Sequence, residues 1–261
     1  MQDCRKMRSE IRDQRSEIRG NYCLLFNIKN EHLLKELGLL AWGMHKYLGY
    51  NSCIATYQNG EYPSMKFLPG LELKFIPKIT GKFRRDSYMW LLKNSRKIDV
   101  LHLFHFGGGS FRQALVYKIF NPKGKVYLKF DGGPKSAKFR EKLALKLLID
   151  FCSVEFSERI EHFQKMLNHK IGFVPNPIHP DEIKEFKNFT ERENIIFACG
   201  RVTHEKGADN LLEAFSKIYD RIPEYKLKFA GTVDEELINK FMSAHPELKD
   251  RVIFAGMIND R

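Results

Sequence analysis

The stretch Gly200-Arg201-Val202-Thr203-His204-Glu205-Lys206-Gly207 places an arginine and a lysine in one short loop. The loop follows the apolar run Ile195 to Cys199 and precedes a helical pattern in which Leu211, Leu212, Phe215, Ile218 and Tyr219 share a face. A strand that delivers two cations beside the positive end of a helix forms a site for a diphosphate, because guanidinium, ammonium and free helix N–H groups all favour anionic oxygens. Composition alone leaves a second reading open, in which both are solvated surface charges. Gly200 and Gly207 either let the backbone approach a ligand closely or serve as turn and packing glycines. Glu205 suits a helix start by its charge rather than by contact with a ligand.

Such a loop needs a parallel sheet behind it, and the chain supplies the pattern. Tyr22 to Ile28 is a continuous apolar run, as expected of a strand covered on both faces. A helix follows, with Leu33, Leu37, Leu40, Ala41, Met44 and Leu48 at helical spacing and Gly49 placed to end it. Further strands are predicted at Cys53 to Tyr57, Leu71 to Ile76, Val100 to His105, Lys125 to Phe130, Cys152 to Phe156 and Ile171 to Val174. Helices are predicted at Tyr88 to Arg96, Phe111 to Phe120, Lys138 to Leu148 and Arg159 to Leu167. The segment Val174-Pro175-Asn176-Pro177-Ile178-His179-Pro180 interrupts this rhythm, since three prolines so close together fit neither a helix nor a central strand. It reads as a hinge. The alternation then resumes with strand Ile195 to Cys199, helix Lys206 to Tyr219, strand Lys226 to Ala230, helix Glu235 to Ser243 and strand Val252 to Phe254. Repeated β-then-α order predicts parallel, doubly wound α/β sheets. The expected organisation is a charged extension at 1–20, a Rossmann-like domain at 21–178, a linker at 179–194 and a partial second domain at 195–261.

The chain has 261 residues, enough for one large domain or two small ones, and its 43% hydrophobic content excludes a mainly disordered chain. A formal charge of +12 admits nucleic acid, anionic lipid or phosphorylated substrates as partners. The basic residues are spread along the chain without an RNP, KH, zinc-finger or basic-zipper signature, so nucleic acid is not the expected partner. Five scattered cysteines with no CxxC pair suggest neither a disulfide framework nor a zinc module. No apolar run reaches the roughly 18 residues of a membrane span, and no signal-peptide core is evident. The expected location is cytoplasmic, peripheral at the inner face of the cell membrane.

The pattern GR-x3-EKG-x-D-x-LLEAF over residues 200 to 215 resembles the retaining glycosyltransferases of family 4, glycosyl transferases group 1, which have the two-domain GT-B fold. Pro223-Glu224-Tyr225-Lys226-Leu227, Gly231 and Val252-Ile253-Phe254-Ala255-Gly256 continue the resemblance. The Val174-Pro175-Asn176-Pro177-Ile178 segment is similar to the family's interdomain motif, with Pro177 where glycine is usual and His179 where aspartate is usual. The resemblance implies α/β architecture with two Rossmann-like domains, the second incomplete. It implies that Arg201 and Lys206, with Gly200 and Gly207, hold the diphosphate of a nucleoside-diphosphate sugar without a metal or other cofactor. The implied acceptor is a lipid-linked or surface-polysaccharide hydroxyl, with an anionic membrane surface as a further partner.

In the resemblance the amino-terminal half supplies the acceptor site. Asp131, in Lys129-Phe130-Asp131-Gly132-Gly133-Pro134, stands where many relatives carry a histidine near the reacting sugar. It can bind a sugar hydroxyl or assist the acceptor, or it can hydrogen-bond its own loop. His102 and His105 point to opposite faces of a strand at their spacing, which excludes a shared metal. Packing is the expected role of these histidines, and His105 is the one of the two placed to reach the site as a catalytic group. The glycine run Gly107-Gly108-Gly109 suits a lining loop or a flexible turn, and the family's usual Gly-Gly loop after the first strand is replaced by Asn27-Ile28-Lys29-Asn30-Glu31-His32. The family's glutamate-rich E-x7-E motif and its final crossing helix are expected downstream of Arg261. Two rival readings remain: a non-catalytic fragment that binds nucleotide or a partner chain, and a basic peripheral membrane protein.

Overall fold

A computed structural model describes residues 19–130, 136–182 and 188–258. The chain divides into two compact units, with the boundary between Ile183 and Lys184.

Among the described residues, the first unit is built on a seven-stranded sheet in the order β3-β2-β1-β4-β5-β6-β7, every neighbouring pair parallel. The strands are β1 (Asn21–Leu25), β2 (Asn51–Thr56), β3 (Glu72–Phe75), β4 (Val100–Phe104), β5 (Lys125–Lys129), β6 (Phe151–Val154) and β7 (Ile171–Phe173). The helices are α1 (Glu36–Leu48), α2 (Phe83–Asn94), α3 (Gly108–Phe120), α4 (Phe139–Leu148) and α5 (Ile160–Leu167). Strand alternation divides the apolar runs between two cores. Cys23 and Leu25 pack with Leu101, Leu103, Leu91 of α2, Tyr117 of α3 and Leu145 of α4. Tyr22 and Leu24 point the other way and pack with Leu37, Ala41 and Trp42 of α1. Gly49 ends α1 in the left-handed conformation, φ 72°, as its position predicts.

Two boundaries differ instructively from the sequence expectation. Helix α2 starts at Phe83, five residues early. The Asp86 carboxylate accepts the backbone N–H groups of Ile79 and Thr80 and the Tyr57 hydroxyl, so it secures the chain entering the helix. Burial pushes that carboxyl up, but these hydrogen bonds outweigh it and hold it below the usual carboxylate range. The second lies at the start of the expected linker, where the first compact unit runs on to Ile183. His179 stacks on Trp42 at 4.9 Å and donates from Nε2 to the Phe67 carbonyl at 3.0 Å, which fastens it to the first unit.

The second unit carries the three-stranded parallel sheet β10-β9-β8 among its described residues, with β8 (Ile195–Cys199), β9 (Lys226–Ala230) and β10 (Val252–Phe254). Helices α6 (Ala208–Ser216) and α7 (Glu235–Ala244) accompany it. Leu212 and Phe215 of α6 pack with Leu227, Phe229, Leu248 and Val252. Arg251 donates to the carbonyls of Tyr219, Ile222 and Tyr225, tying the end of the α6 region to β10. No helix among the described residues is long and apolar enough to cross a membrane.

His102 lies at the centre of the first sheet, fully buried, with Nδ1 bonded to the Tyr22 hydroxyl and its ring stacked on Tyr127 at 4.2 Å. Burial, aided by the Lys129 charge, lowers its pKa well below the ordinary value, so the ring is neutral in the fold. Below about pH 6.5 the unfolded chain takes up a proton that this imidazole refuses, and stability falls as the pH drops. His102→Asn removes that linkage. Urea unfolding of the variant should therefore lose stability less steeply than the parent between about pH 6.5 and pH 5; equal slopes would assign the effect to other groups.

Candidate functional site

The carboxyl edge of the second unit is shaped by three glycines. Phe197-Ala198-Cys199-Gly200, Phe229-Ala230-Gly231 and Phe254-Ala255-Gly256 end the three strands in the same way, with φ of 135°, 144° and 65° at the glycines. Those values favour glycine because a β-carbon meets the neighbouring carbonyl there. At Gly231 the constraint is also steric, since a β-carbon would lie 1.9 Å from the Gly200 oxygen. The pairing persists beyond the strands, with Gly200 N–H donating to the Ala230 carbonyl and Val202 N–H to Thr232, both at 2.8 Å. Next to Gly200 and Gly256 a β-carbon would meet nothing within 4 Å, so the edge is open on those sides.

Arg201 leaves this edge exposed, its Nη2 3.4 Å from the Glu205 carboxylate. The loop then makes a single 3₁₀ turn, His204–Lys206, before Gly207 adopts φ 71° and α6 begins at Ala208. The helix thus starts two residues later than the sequence pattern suggests, because Gly207 N–H closes the turn onto the His204 carbonyl and breaks the helical run. Lys206 sits exposed on that turn. Glu205 contacts Arg201 and orients it, a role its spacing alone did not indicate. Asp209, in the first turn of α6, pairs with His204. Burial raises its pKa, but the Asn210 backbone N–H and His204 lower it further, leaving the carboxylate ionised. The second Asp209 oxygen and the Thr203 hydroxyl are buried without a partner among the described residues. The whole loop therefore presents Arg201 and Lys206 outward, over backbone that glycine keeps uncovered.

The first unit has its own polar recess. A cavity of about 370 Å³ lies at the ends of β1 and β4, lined by Phe26, Arg84, His105, Arg112 and the start of α3 at Gly107 to Gly109. His105 is exposed rather than packed, held at φ 67° with its N–H on the Lys129 carbonyl and its ring edge-on to Phe26. Ser110 braces the turn by donating to the carbonyls of Phe104 and His105. Gly109 lets the Arg84 guanidinium lie across the helix start, where a β-carbon would sit 2.8 Å from its Nε. Asp131 lies outside the described residues. A larger cavity of about 870 Å³, beside α1 and Pro177, is walled by apolar groups such as Trp42, Tyr47, Tyr127 and Phe151 and gathers no comparable cations.

Sequence reasoning missed Lys129. It is fully buried at the end of β5, donating to the Val174 carbonyl at 3.1 Å and to Asn176 Oδ1 at 2.6 Å, while Asn176 donates on to Glu155. A lysine inside the apolar run Val126 to Phe130 was the available signal. The three strand ends that read Phe-Ala and then glycine, one of them with Cys199 between, were a second.

Residues 180–261 match the family described as "Glycosyl transferases group 1". A 95-residue stretch is 30% identical to the protein named uncharacterized glycosyltransferase YqgM of Bacillus subtilis (strain 168), covering 36% of this chain and 26% of that relative. The match thus spans about a quarter of the relative's length. Among solved structures, HepE of Anabaena in complex with UDP and glucose superposes with a TM-score of 0.60 at 11% identity, over 92% of this chain and 70% of that one. UDP-GlcNAc 2-epimerase of Neisseria meningitidis, bound to UDP-GlcNAc, gives 0.60 at 10% identity, over 92% and 73%. The fold is the GT-B arrangement of parallel α/β units that such glycosyltransferases and epimerases share.

Gly231→Ala should damage this edge far more than Gly207→Ala. The first substitution adds a clash to an unfavourable φ and should cost at least about 2 kcal/mol, the second about 1 kcal/mol. Hydrogen exchange of the β8 and β9 amides reports the difference; comparable losses of protection would refute the close-approach role of Gly231.

Proposed function

We propose that the chain is the part of a retaining, family-4-type glycosyltransferase that grips the diphosphate of a nucleoside-diphosphate sugar and contacts the acceptor. The single observation that carries this reading is the pairing of Arg201 and Lys206 over the glycine edge of the second unit, within residues 180–261 that match the group 1 family. Arg201 supplies a planar fork for two phosphate oxygens, and Glu205 holds that fork in place until the donor displaces it. Lys206 supplies a point charge, and the backbone at Gly200, which no β-carbon covers, lets the diphosphate come close. As the sugar–phosphate bond breaks, negative charge gathers on the leaving diphosphate, and these two cations stabilise it in the role a metal plays elsewhere. The nucleotide we favour is UDP, which HepE and the epimerase both carry in some form.

On the same reading the cavity at His105 takes the acceptor. His105 meets the attacking hydroxyl, and Arg84 and Arg112 orient the acceptor's polar groups; Asp131, outside the described residues, is the second catalytic candidate. The acceptor class is a hydroxyl of a lipid-linked, lipopolysaccharide or surface-polysaccharide intermediate, which brings the chain to an anionic membrane surface. The group 1 match favours transfer over epimerisation, although the fold is shared by both.

Calorimetric titration with UDP tests the donor grip. Arg201→Ala and Lys206→Ala should each weaken binding by roughly tenfold to a hundredfold, the loss expected for a hydrogen bond to a charged group of about 1.5–3 kcal/mol. The double variant should bind UDP no better than UMP. Unchanged affinity in the double variant would overturn the reading.

A further inference from the structure

The excess positive charge is concentrated in one part of the fold. Residues 82–149 contain sixteen lysines and arginines against four aspartates and glutamates, an excess equal to the whole chain's +12, so the remainder is balanced. Basic residues are spread along the chain, but their excess over acids falls in this stretch, where Lys118 and Lys125 pair with the adjoining Asp150 and Lys129 is buried. Of the four acids, Asp86 is buried, while Asp99 and Glu141 accept the backbone N–H groups of Asn21 and Lys138. The fourth, Asp131, lies outside the described residues.

This stretch forms the layer α2–α3–α4, in which α3 packs against both neighbours on one face of the first sheet. The inner faces of the three helices fill the core. Their outer faces expose large apolar side chains in every helix: Met89 and Leu92 on α2, Leu115 and Ile119 on α3, Phe139 and Leu147 on α4. Ile119, Leu147 and Phe139 are 62%, 67% and 80% exposed. Arg85, Lys93, Arg96, Lys123, Arg140 and Lys146 are exposed on the same segments.

Exposed aliphatic and aromatic groups beside these six exposed cations match a partner that is both apolar and anionic. A nucleic acid would use the charges and leave the aliphatic groups in water. A second copy would bring like charge against like. We propose that the outer face of α2–α3–α4 docks on a bilayer containing anionic phospholipid. Lysine and arginine heads lie among the phosphates with their stems along the surface, and Ile119, Phe139 and Leu147 enter the acyl boundary. The surface belongs to the first unit alone and does not depend on the diphosphate grip of the second.

Sedimentation of the full chain with vesicles tests it, one set of phosphatidylcholine and one of phosphatidylcholine mixed with phosphatidylglycerol. The chain should sediment with the mixed vesicles, release as salt rises, and remain largely in solution with phosphatidylcholine alone. Arg96→Glu/Lys123→Glu/Lys146→Glu should weaken partition at least about tenfold. Ile119→Ser/Phe139→Ser/Leu147→Ser should leave weaker binding that salt removes completely. All six positions are exposed, and far-UV circular dichroism checks that each variant folds; should one fail, lipid composition and salt dependence of the parent decide. Equal sedimentation with both vesicle types, parental binding by the charge variant, a dimer that the apolar variant converts to monomer, or tighter binding to RNA than to anionic vesicles would each overturn the proposal.

Discussion

The Gly200 carbonyl stands so near Gly231 that a β-carbon there would lie 1.9 Å from the oxygen, and the carboxyl edge of the second unit is organised around that approach. Because the two backbones stay together past the strand ends, Val202 still pairs with Thr232 while the chain between them must turn outward. The outward turn is where Arg201, Glu205 and Lys206 sit. A helix beginning directly at Lys206 would bury that lysine's approach along the helix surface; the interposed 3₁₀ turn and left-handed Gly207 present it at the edge instead. Backbone geometry, rather than a dense network of side-chain bonds, thus fixes the cations.

In the first unit the governing constraint is burial on both faces of the sheet. Polar groups inside it must be paired, and those pairs reach outward to order the loops. Lys129 holds the proline-rich segment through Val174 and Asn176, and its own carbonyl holds His105 in a conformation that exposes the ring. His102, three residues earlier on the opposite face, is consumed by packing against Tyr22 and Tyr127. Two histidines of one strand therefore serve unlike ends: one stabilises the neutral interior, the other borders a polar cavity. The outer helices show the same economy in reverse, with inward positions filling a core and outward positions keeping both charge and apolar area.

Much of this was legible in the chain. Strand β1 appeared as an apolar run because both its faces are covered, and Gly49 marked a helix end that the backbone confirms by its left-handed conformation. What the pattern hid were features decided by contacts remote in sequence. The start of α2 depends on Tyr57, 29 residues before Asp86. The anchoring of His179 depends on Trp42 and on Phe67, 112 residues away. The pairing of Lys129 was hidden because its partners, Val174 and Asn176, come from beyond β7. The charge balance of +12 was visible at once, but its confinement to one helical layer gained meaning only when α2, α3 and α4 proved to be neighbours.

The donor grip is tested most directly by following the backbone amides of the labelled chain in nitrogen–proton correlation spectra during titration with UDP. A diphosphate seated on the glycine edge shifts Gly200, Arg201, Gly207, Gly231 and Gly256 together, and UMP moves them much less. Glycine resonances that stay in place, or shifts confined to the first unit, would contradict it.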